Sequence, residues 1–234
     1  MHTILSNECI AEGIYAMKVK GHFQVNMGQF FMLRAWENHP ILSRPISVCN
    51  VEHDHIEFLY KVVGEGTRLF AKLRAGDSIQ LEGPFGNGFV NQPGRVALIG
   101  GGVGIAPLLY AAKQFRNKPD IFLGFRDQPY LTEAYKPYAN ELHICVNGNV
   151  LEHIEWTRYD YVYTCGPYAM MKAVANLTKG LDVKVYVSFE KRMACGIGAC
   201  YGCSTSTKQG NKKVCTDGPV FLAEEVDWHE EFSL

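Results

Sequence analysis

Residues 95–109 read RVALIGGGVGIAPLL, and this stretch decides the class of the second half of the chain. Arg95-Val96-Ala97-Leu98-Ile99 runs into glycines without the polar alternation of a half-buried strand, as a strand covered on both faces does. From Ile105 to Phe115 the apolar residues recur at helical spacing. A buried strand that feeds a helix is one βα unit. The pattern continues outward: Asp120–Phe125, Glu141–Val146, Asp160–Thr164 and Val183–Val187 are strand-like, and Tyr168–Leu177 has helical spacing. Strands alternating with helices predict a parallel sheet over residues 92–188.

The glycine run at the end of the first strand, Gly100 to Gly104, allows a sharp turn. Gly101, Gly102 and Gly104 let backbone N–H groups approach a phosphate at the start of the helix. The G-x-G-x-x-G fingerprint is absent, because position 107 is proline, and a tight βα turn is the plain alternative. A second feature falls at the same level of the sheet. Cys165-Gly166-Pro167 follows the strand ending at Thr164, and parallel sheets bind ligands at the carboxyl ends of their strands. The plain alternative for Cys165 is a small buried hydrophobe.

Residues 1–91 have a different character. Short extended segments at 13–19, 29–34, 45–51, 55–63 and 78–82 are separated by turn residues, with Glu52-His53-Asp54 at a hairpin turn. This predicts a barrel or sandwich, interrupted by one helix over Thr67–Leu73 with Thr67 as its cap. Arg44-Pro45-Ile46-Ser47 places a permanent cation and a hydroxyl on one strand, and Gly64-Glu65-Gly66-Thr67 opens the helix. Together these hold the donors a diphosphate needs; apart, they are a surface ion pair and a capped turn.

Residues 189–234 carry four of the eight cysteines, spaced Cys195-x4-Cys200-x2-Cys203-x11-Cys215. That is the spacing of plant-type [2Fe–2S] ligands. Four thiolates must converge on both ends of a flat two-iron unit, and Gly196, Gly198, Ala199 and Gly202 permit the close loop this needs. A structural zinc site is the alternative, although zinc sites usually pair cysteines as C-x2-C twice. Periodicity is poor here, so a bound inorganic centre is expected to stand in for an apolar core.

Composition narrows the remaining classes. The chain has 234 residues, with 23 basic and 24 acidic side chains giving a net charge of −1, and 47% hydrophobic residues. Disorder and a broad basic nucleic-acid surface are excluded. The longest apolar run, Val96–Ala112, is broken by glycines and Pro107, so no membrane span is expected, and no secretory signal is visible; a cytoplasmic protein is expected. His22, His39, His53, His55, His143, His153 and His229 lack ligand spacing and read as surface residues.

Taken in order, RPIS at 44–47, LYKVVGEGT at 59–67, GPFGNGF at 83–89, GGGVGIAPLL at 100–109, CGPYAMMKAV at 165–174 and the cysteine segment from 188 to 221 resemble the ferredoxin–NADP reductase superfamily. The closer resemblance is to the electron-transfer subunits of class 1B dihydroorotate dehydrogenase, because most reductases of the superfamily lack the trailing cysteine loop. The resemblance implies an FAD-binding antiparallel β-barrel (1–91), an NAD-binding α/β domain with a parallel sheet (92–188) and a C-terminal [2Fe–2S] segment (189–234). It implies FAD on Arg44, Pro45, Ile46, Ser47, Leu59, Tyr60, Lys61, Gly66 and Thr67, and the NAD(H) diphosphate on Gly101, Gly102 and Gly104. Cys165, Gly166 and Pro167 would lie beside the nicotinamide, with Ser47 and Cys165 nearest the chemistry. Cys195, Cys200, Cys203 and Cys215 would hold the cluster. The implied partner is an FMN-containing catalytic subunit that oxidises dihydroorotate in pyrimidine biosynthesis, in an assembly of two copies of each. Ile197 to Tyr201 are candidate contacts to it. Two alternatives keep part of this picture: a subunit of another cytosolic iron–sulfur flavoenzyme (hydrogenase, sulfite reductase or transhydrogenase), and a zinc-stapled nucleotide-binding module without activity.

Overall fold

Short strands with one apolar face close the first part of the chain on itself. The structure, a computed structural model, describes residues 1–228. Strands β1 (His2–Ala11), β2 (Ile14–Lys20), β3 (Phe30–Arg34), β4 (Arg44–Val51), β5 (His55–Lys61) and β6 (Ser78–Phe85) form a closed antiparallel barrel in the order β1-β2-β5-β4-β3-β6. Met17, Val19, Leu33, Val48, Ile56, Phe58 and Ile79 fill its interior. The hairpin predicted around residues 52–54 joins β4 to β5.

Strand β1 was not predicted, and the reason is tertiary. Its sequence, HTILSNECIA, lacks alternation, because polar Asn7 has its partners elsewhere in the fold. The Asn7 amide donates to the carbonyls of Phe70 (2.8 Å) and Leu73 (3.1 Å), and its oxygen accepts the Tyr60 hydroxyl at 2.9 Å.

The helix between β5 and β6, α1, spans Glu65–Phe70 and starts two residues before the predicted Thr67. Gly64 is its cap. Thr67 lies inside the first turn, and its Oγ1 accepts the N–H groups of Val63 (3.0 Å) and Gly64 (3.1 Å).

The second half is built on β7 (Val96–Gly101), α2 (Ile105–Gln114), β8 (Asp120–Phe125), the short α3 (Thr132–Tyr135), β9 (Leu142–Val146), β10 (Tyr161–Cys165), α4 (Tyr168–Leu177) and β11 (Lys184–Ser188). The five strands are parallel, in the order β11-β10-β7-β8-β9. The tail adds the hairpin β12 (Ser204–Thr207) and β13 (Gly210–Lys213), then β14 (Val220–Leu222), which joins the sheet antiparallel to β11. The tail is therefore continuous with the α/β sheet. It also has an apolar core, contrary to expectation: Cys203, Val214, Cys215, Phe221 and Val226 are buried in one cluster with Phe189 and Met193.

Helix α2 packs against β4, and one buried core runs from the barrel interior to Leu108 and Leu109. The Tyr110 hydroxyl donates to the Val25 carbonyl at 3.2 Å, and that of Tyr163 to Val90 at 2.6 Å. One histidine departs from the surface assignment: His55 is largely covered between Asp54 and Glu57, whereas His143 is exposed, with its ring stacked 4.7 Å from Phe122. His229 lies outside the described residues.

Candidate functional site

The fold brings the predicted residues into three groups. At the carboxyl end of the parallel sheet, β10 lies between β7 and β11, with Cys165 in register with Gly100 and Ser188. A Cβ on Gly104 would collide with the Cys165 carbonyl, and one on Gly101 would fall 2.8 Å from Pro167 Cδ. Gly166, at φ +151°, approaches Gly101 as closely: a Cβ there would stand 2.8 Å from the Gly101 carbonyl oxygen. Gly101 and Gly104 are thus required for the packing of one loop on the other. Gly102 differs. It sits at φ +56° with nothing within 4 Å of its Cβ position, so its backbone is the part of the run open to a ligand.

Cys165 is buried, and burial pushes its thiol far up, so it stays neutral. The Ser188 hydroxyl is its hydrogen-bonding neighbour, and Glu190 adds a nearby negative charge. The sequence did not single out Glu190. Its side chain is reached by solvent, yet surrounding protein raises its carboxyl above the usual range.

On the barrel, Arg44 and Gly66 come together as expected. A Cβ on Gly66 would lie 2.6 Å from Arg44 Nε and 2.8 Å from Trp36 Cη2. The Trp36 ring stands 5.3 Å from the Arg44 guanidinium and stacks on Phe70 at 5.4 Å. Its indole Nε1 is buried without a partner. Arg44 is half-buried, and its Nη1 donates to the Leu42 carbonyl. Pro45, Ile46 and Ser47 are half-buried on β4, opposite Met32, Phe31 and Phe30. Leu59 and Tyr60 turn their side chains into the core, where the Tyr60 ring stacks on Tyr15 at 5.5 Å, so what they offer a ligand is backbone; Lys61 is exposed. A guanidinium packed directly on the Gly66 backbone and an unpartnered indole N–H beside it fit the diphosphate and ribose of FAD. Ser47 and Cys165 make no hydrogen bond to each other among the described residues.

In the tail every cysteine sulfur accepts a backbone N–H. Cys200 N donates to Cys195 Sγ (3.4 Å), Gly202 N to Cys200 Sγ (3.4 Å), Cys215 N to Cys203 Sγ (3.4 Å) and Gly198 N to Cys215 Sγ (3.2 Å). Left-handed Gly196 (φ +69°) and Gly198 (φ +78°) turn those amides inward. The N–H of Cys200, then that of Ile197, pulls Cys195 down to about 6, whereas burial and the adjacent Cys203 push Cys215 up to about 11. The thiols interact with one another: Cys195 with Cys200, and Cys215 with both Cys203 and Cys195. Among the described residues no three Cys, His, Asp or Glu side chains converge as a single-ion site needs. Four cysteine sulfurs on one folded segment, each with an amide donor, fit an iron–sulfur centre, whose sulfurs accept backbone hydrogen bonds.

Asn87, within the GPFGNGF stretch, ties this tail to the barrel. Its amide nitrogen donates to the Thr216 carbonyl at 3.0 Å and its backbone N–H to Gly218 at 2.6 Å. The stretch was quoted for its likeness to a family, but nothing local in it signals a contact 129 residues away. A cleft of about 500 Å³ lined by Gln29, Asn87, Phe89 and Gln114 contains none of the predicted site residues.

A closed antiparallel barrel followed by a parallel sheet, with a glycine run and a Cys-Gly-Pro loop packed together at its carboxyl end, defines a ferredoxin reductase-like oxidoreductase. A solved chain of the NADH-dependent reduced ferredoxin–NADP oxidoreductase, described for flavin-based electron bifurcation, superposes with a TM-score of 0.88 at 28% identity, over 97% of this chain and 90% of its own. Residues 190–227 match the iron–sulfur cluster binding domain of dihydroorotate dehydrogenase B. The dihydroorotate dehydrogenase B (NAD(+)) electron transfer subunit of Clostridium acetobutylicum is 42% identical over 95% of both chains, and that of Clostridium perfringens is 44% identical over 94% of both. The chain belongs to the family of dihydroorotate dehydrogenase B (NAD(+)) electron transfer subunits.

Proposed function

We propose that this chain carries electrons between NAD+ and an FMN-containing catalytic subunit that oxidises dihydroorotate, in the cytoplasm, as two copies of each subunit. The observation that carries the proposal is the ring of backbone N–H donors around four cysteine sulfurs, tied by Asn87 to the barrel.

Cys195, Cys200, Cys203 and Cys215 hold a [2Fe–2S] cluster. Arg44 and the Gly66–Thr67 backbone take the FAD diphosphate, while Pro45 to Ser47 and the Leu59–Lys61 backbone line the rest of the flavin. Gly102 presents its backbone to the NAD(H) diphosphate, and the packing of Gly101 and Gly104 on Cys165, Gly166 and Pro167 supports that turn. When bound, FAD supplies hydride exchange with nicotinamide and single-electron exchange with iron. The chain orients and shields. Cys165, held neutral by burial, sets an uncharged wall beside the nicotinamide, and Ser47 offers a hydroxyl from the barrel side. Ile197 and Tyr201 are 64% and 65% exposed beside the cysteines, which favours the view that they meet the partner rather than pack the cluster.

The test is purification without air from native cytosol. Flavin and about two irons per chain should copurify with a dihydroorotate-oxidising subunit. Zinc without iron would overturn the cluster, and a different partner would leave the cofactors standing while removing dihydroorotate.

A further inference from the structure

Among the described residues of the tail, Lys213 stands against an aromatic face. Lys213 ends β13, two residues before Cys215. Its Nζ lies 4.9 Å from the centroid of the Tyr201 ring and 3.4 Å from the Cβ position of Gly198. Gly198 is the residue whose N–H donates to Cys215 Sγ at 3.2 Å. The ammonium therefore stands over the peptide that holds the fourth sulfur. Tyr201 beneath it is fixed in the left-handed region at φ +58°.

Nearby carboxylates are engaged otherwise. Asp217 Oδ2 accepts the backbone N–H of Lys213 at 2.6 Å, and Glu225 pairs with Lys212 at 3.9 Å. No carboxylate among the described residues forms an ion pair with the Lys213 ammonium.

The geometry points to Lys213 as the counter-charge of the iron–sulfur centre, a residue that raises the centre's reduction potential. This rests on the ligand assignment above. A [2Fe–2S] centre with four thiolates is anionic, and one electron, delivered from the flavin, makes it more so without forming or breaking a bond. A fixed cation stabilises the reduced form more than the oxidised form. Lys213 is half-buried, so salt screens it only in part.

The experiment is a dye-mediated potentiometric titration of the FAD- and iron-loaded chain, read by the electron paramagnetic resonance of the reduced cluster. Lys213→Gln and Lys213→Met should shift the midpoint to more negative potential. Lys213→Arg should keep it, as should Lys212→Gln, which removes an equal charge paired elsewhere. Neutral variants that titrate with the wild type at full iron content would overturn the assignment, as would an equal shift in Lys212→Gln. If both neutral variants lose iron while Lys213→Arg retains it, the positive charge is needed to hold the anionic centre, which supports the assignment. If Lys213→Arg loses iron too, the side chain acts by packing and the assignment falls. A wild-type chain without iron fails the ligand assignment itself, which is a separate result.

Discussion

Lys113 of α2 reaches across to the β4–β5 hairpin, where its ammonium stands 2.6 Å from Glu52 Oε1 and 2.7 Å from Asn50 Oδ1. The contact fastens the α/β half to the barrel beside the packing of α2 on β4. Lys113 is 17% exposed and Glu52 46%. The ammonium's hydrogen bond, then the Asn50 amide, hold the Glu52 carboxyl below its ordinary range.

Lys113→Ala should therefore cost about 1 kcal/mol, discounted for the exposure of Glu52. The sign of the pH dependence follows from the depressed carboxyl. The contribution is complete above the ordinary glutamate range and is lost as pH falls through the lower folded value. Urea unfolding of the wild type and the variant should show a gap that closes on acidification. A gap unchanged with pH would mean that only the lysine stem matters.

The two neighbouring glycines should fail in different ways. Gly104→Ala drives a methyl into the Cys165 carbonyl, and the backbone there must move. We expect a loss of about 1–3 kcal/mol in stability and at least a tenfold weaker NADH titration of the flavin. Gly102→Ala meets open space but strains φ at +56°, costing about 1 kcal/mol. Its stability loss should be smaller, and its NADH affinity should fall because the exposed backbone is no longer bare. Equal effects of the two changes would undo the distinction between a packing glycine and a ligand-facing one.

That distinction was not legible in the sequence, where five consecutive positions from 100 to 104 contain four glycines of one apparent purpose. What was legible is periodic or local. The continuous run before Gly100 marks a buried parallel strand, and the cysteine spacing marks a loop folded around one centre. The missed features are those set by distant partners. Strand β1 hides its character because Asn7 is satisfied by Phe70 and Leu73. Thr67 reads as a cap because capping residues and first-turn residues share a chemistry, and only the bonds from Val63 and Gly64 place it inside the helix. Glu190 and Asn87 acquire roles only once β11 lies beside β10 and the tail has folded back.

Glu190 gives a second pH test with the opposite sign. The protein packed around it raises its carboxyl although solvent reaches the side chain, so its neutral form is the one the fold favours. That stability is complete below the unfolded carboxyl range and is lost as pH rises through the raised folded value. Glu190→Gln keeps the neutral form at every pH. Thermal unfolding should show the variant gaining on the wild type as pH rises through this window. A difference that stays flat would show an ordinary carboxyl in open solvent.

The cysteines should divide by chemistry rather than by burial. Cys203 and Cys215 are buried, Cys195 is half-buried and Cys200 is exposed, so a purely structural role would make the first two costly and Cys200 nearly neutral. A shared cluster predicts otherwise. Ala at any of the four should remove a ligand and lower iron well below about two per chain, including at Cys200, where the apolar area lost is least. Cys200→Ala should still accept electrons from NADH at the flavin, because the barrel and the Gly102 turn are remote from the change in sequence and element. It should deliver none to the catalytic partner. Cys9→Ala, another exposed cysteine, is the control and should leave iron unchanged. Iron analysis beside anaerobic stopped-flow of flavin reduction reads both halves. Full iron in Cys200→Ala would remove that thiol from the ligand set, and undiminished delivery would take the relay off this tail altogether.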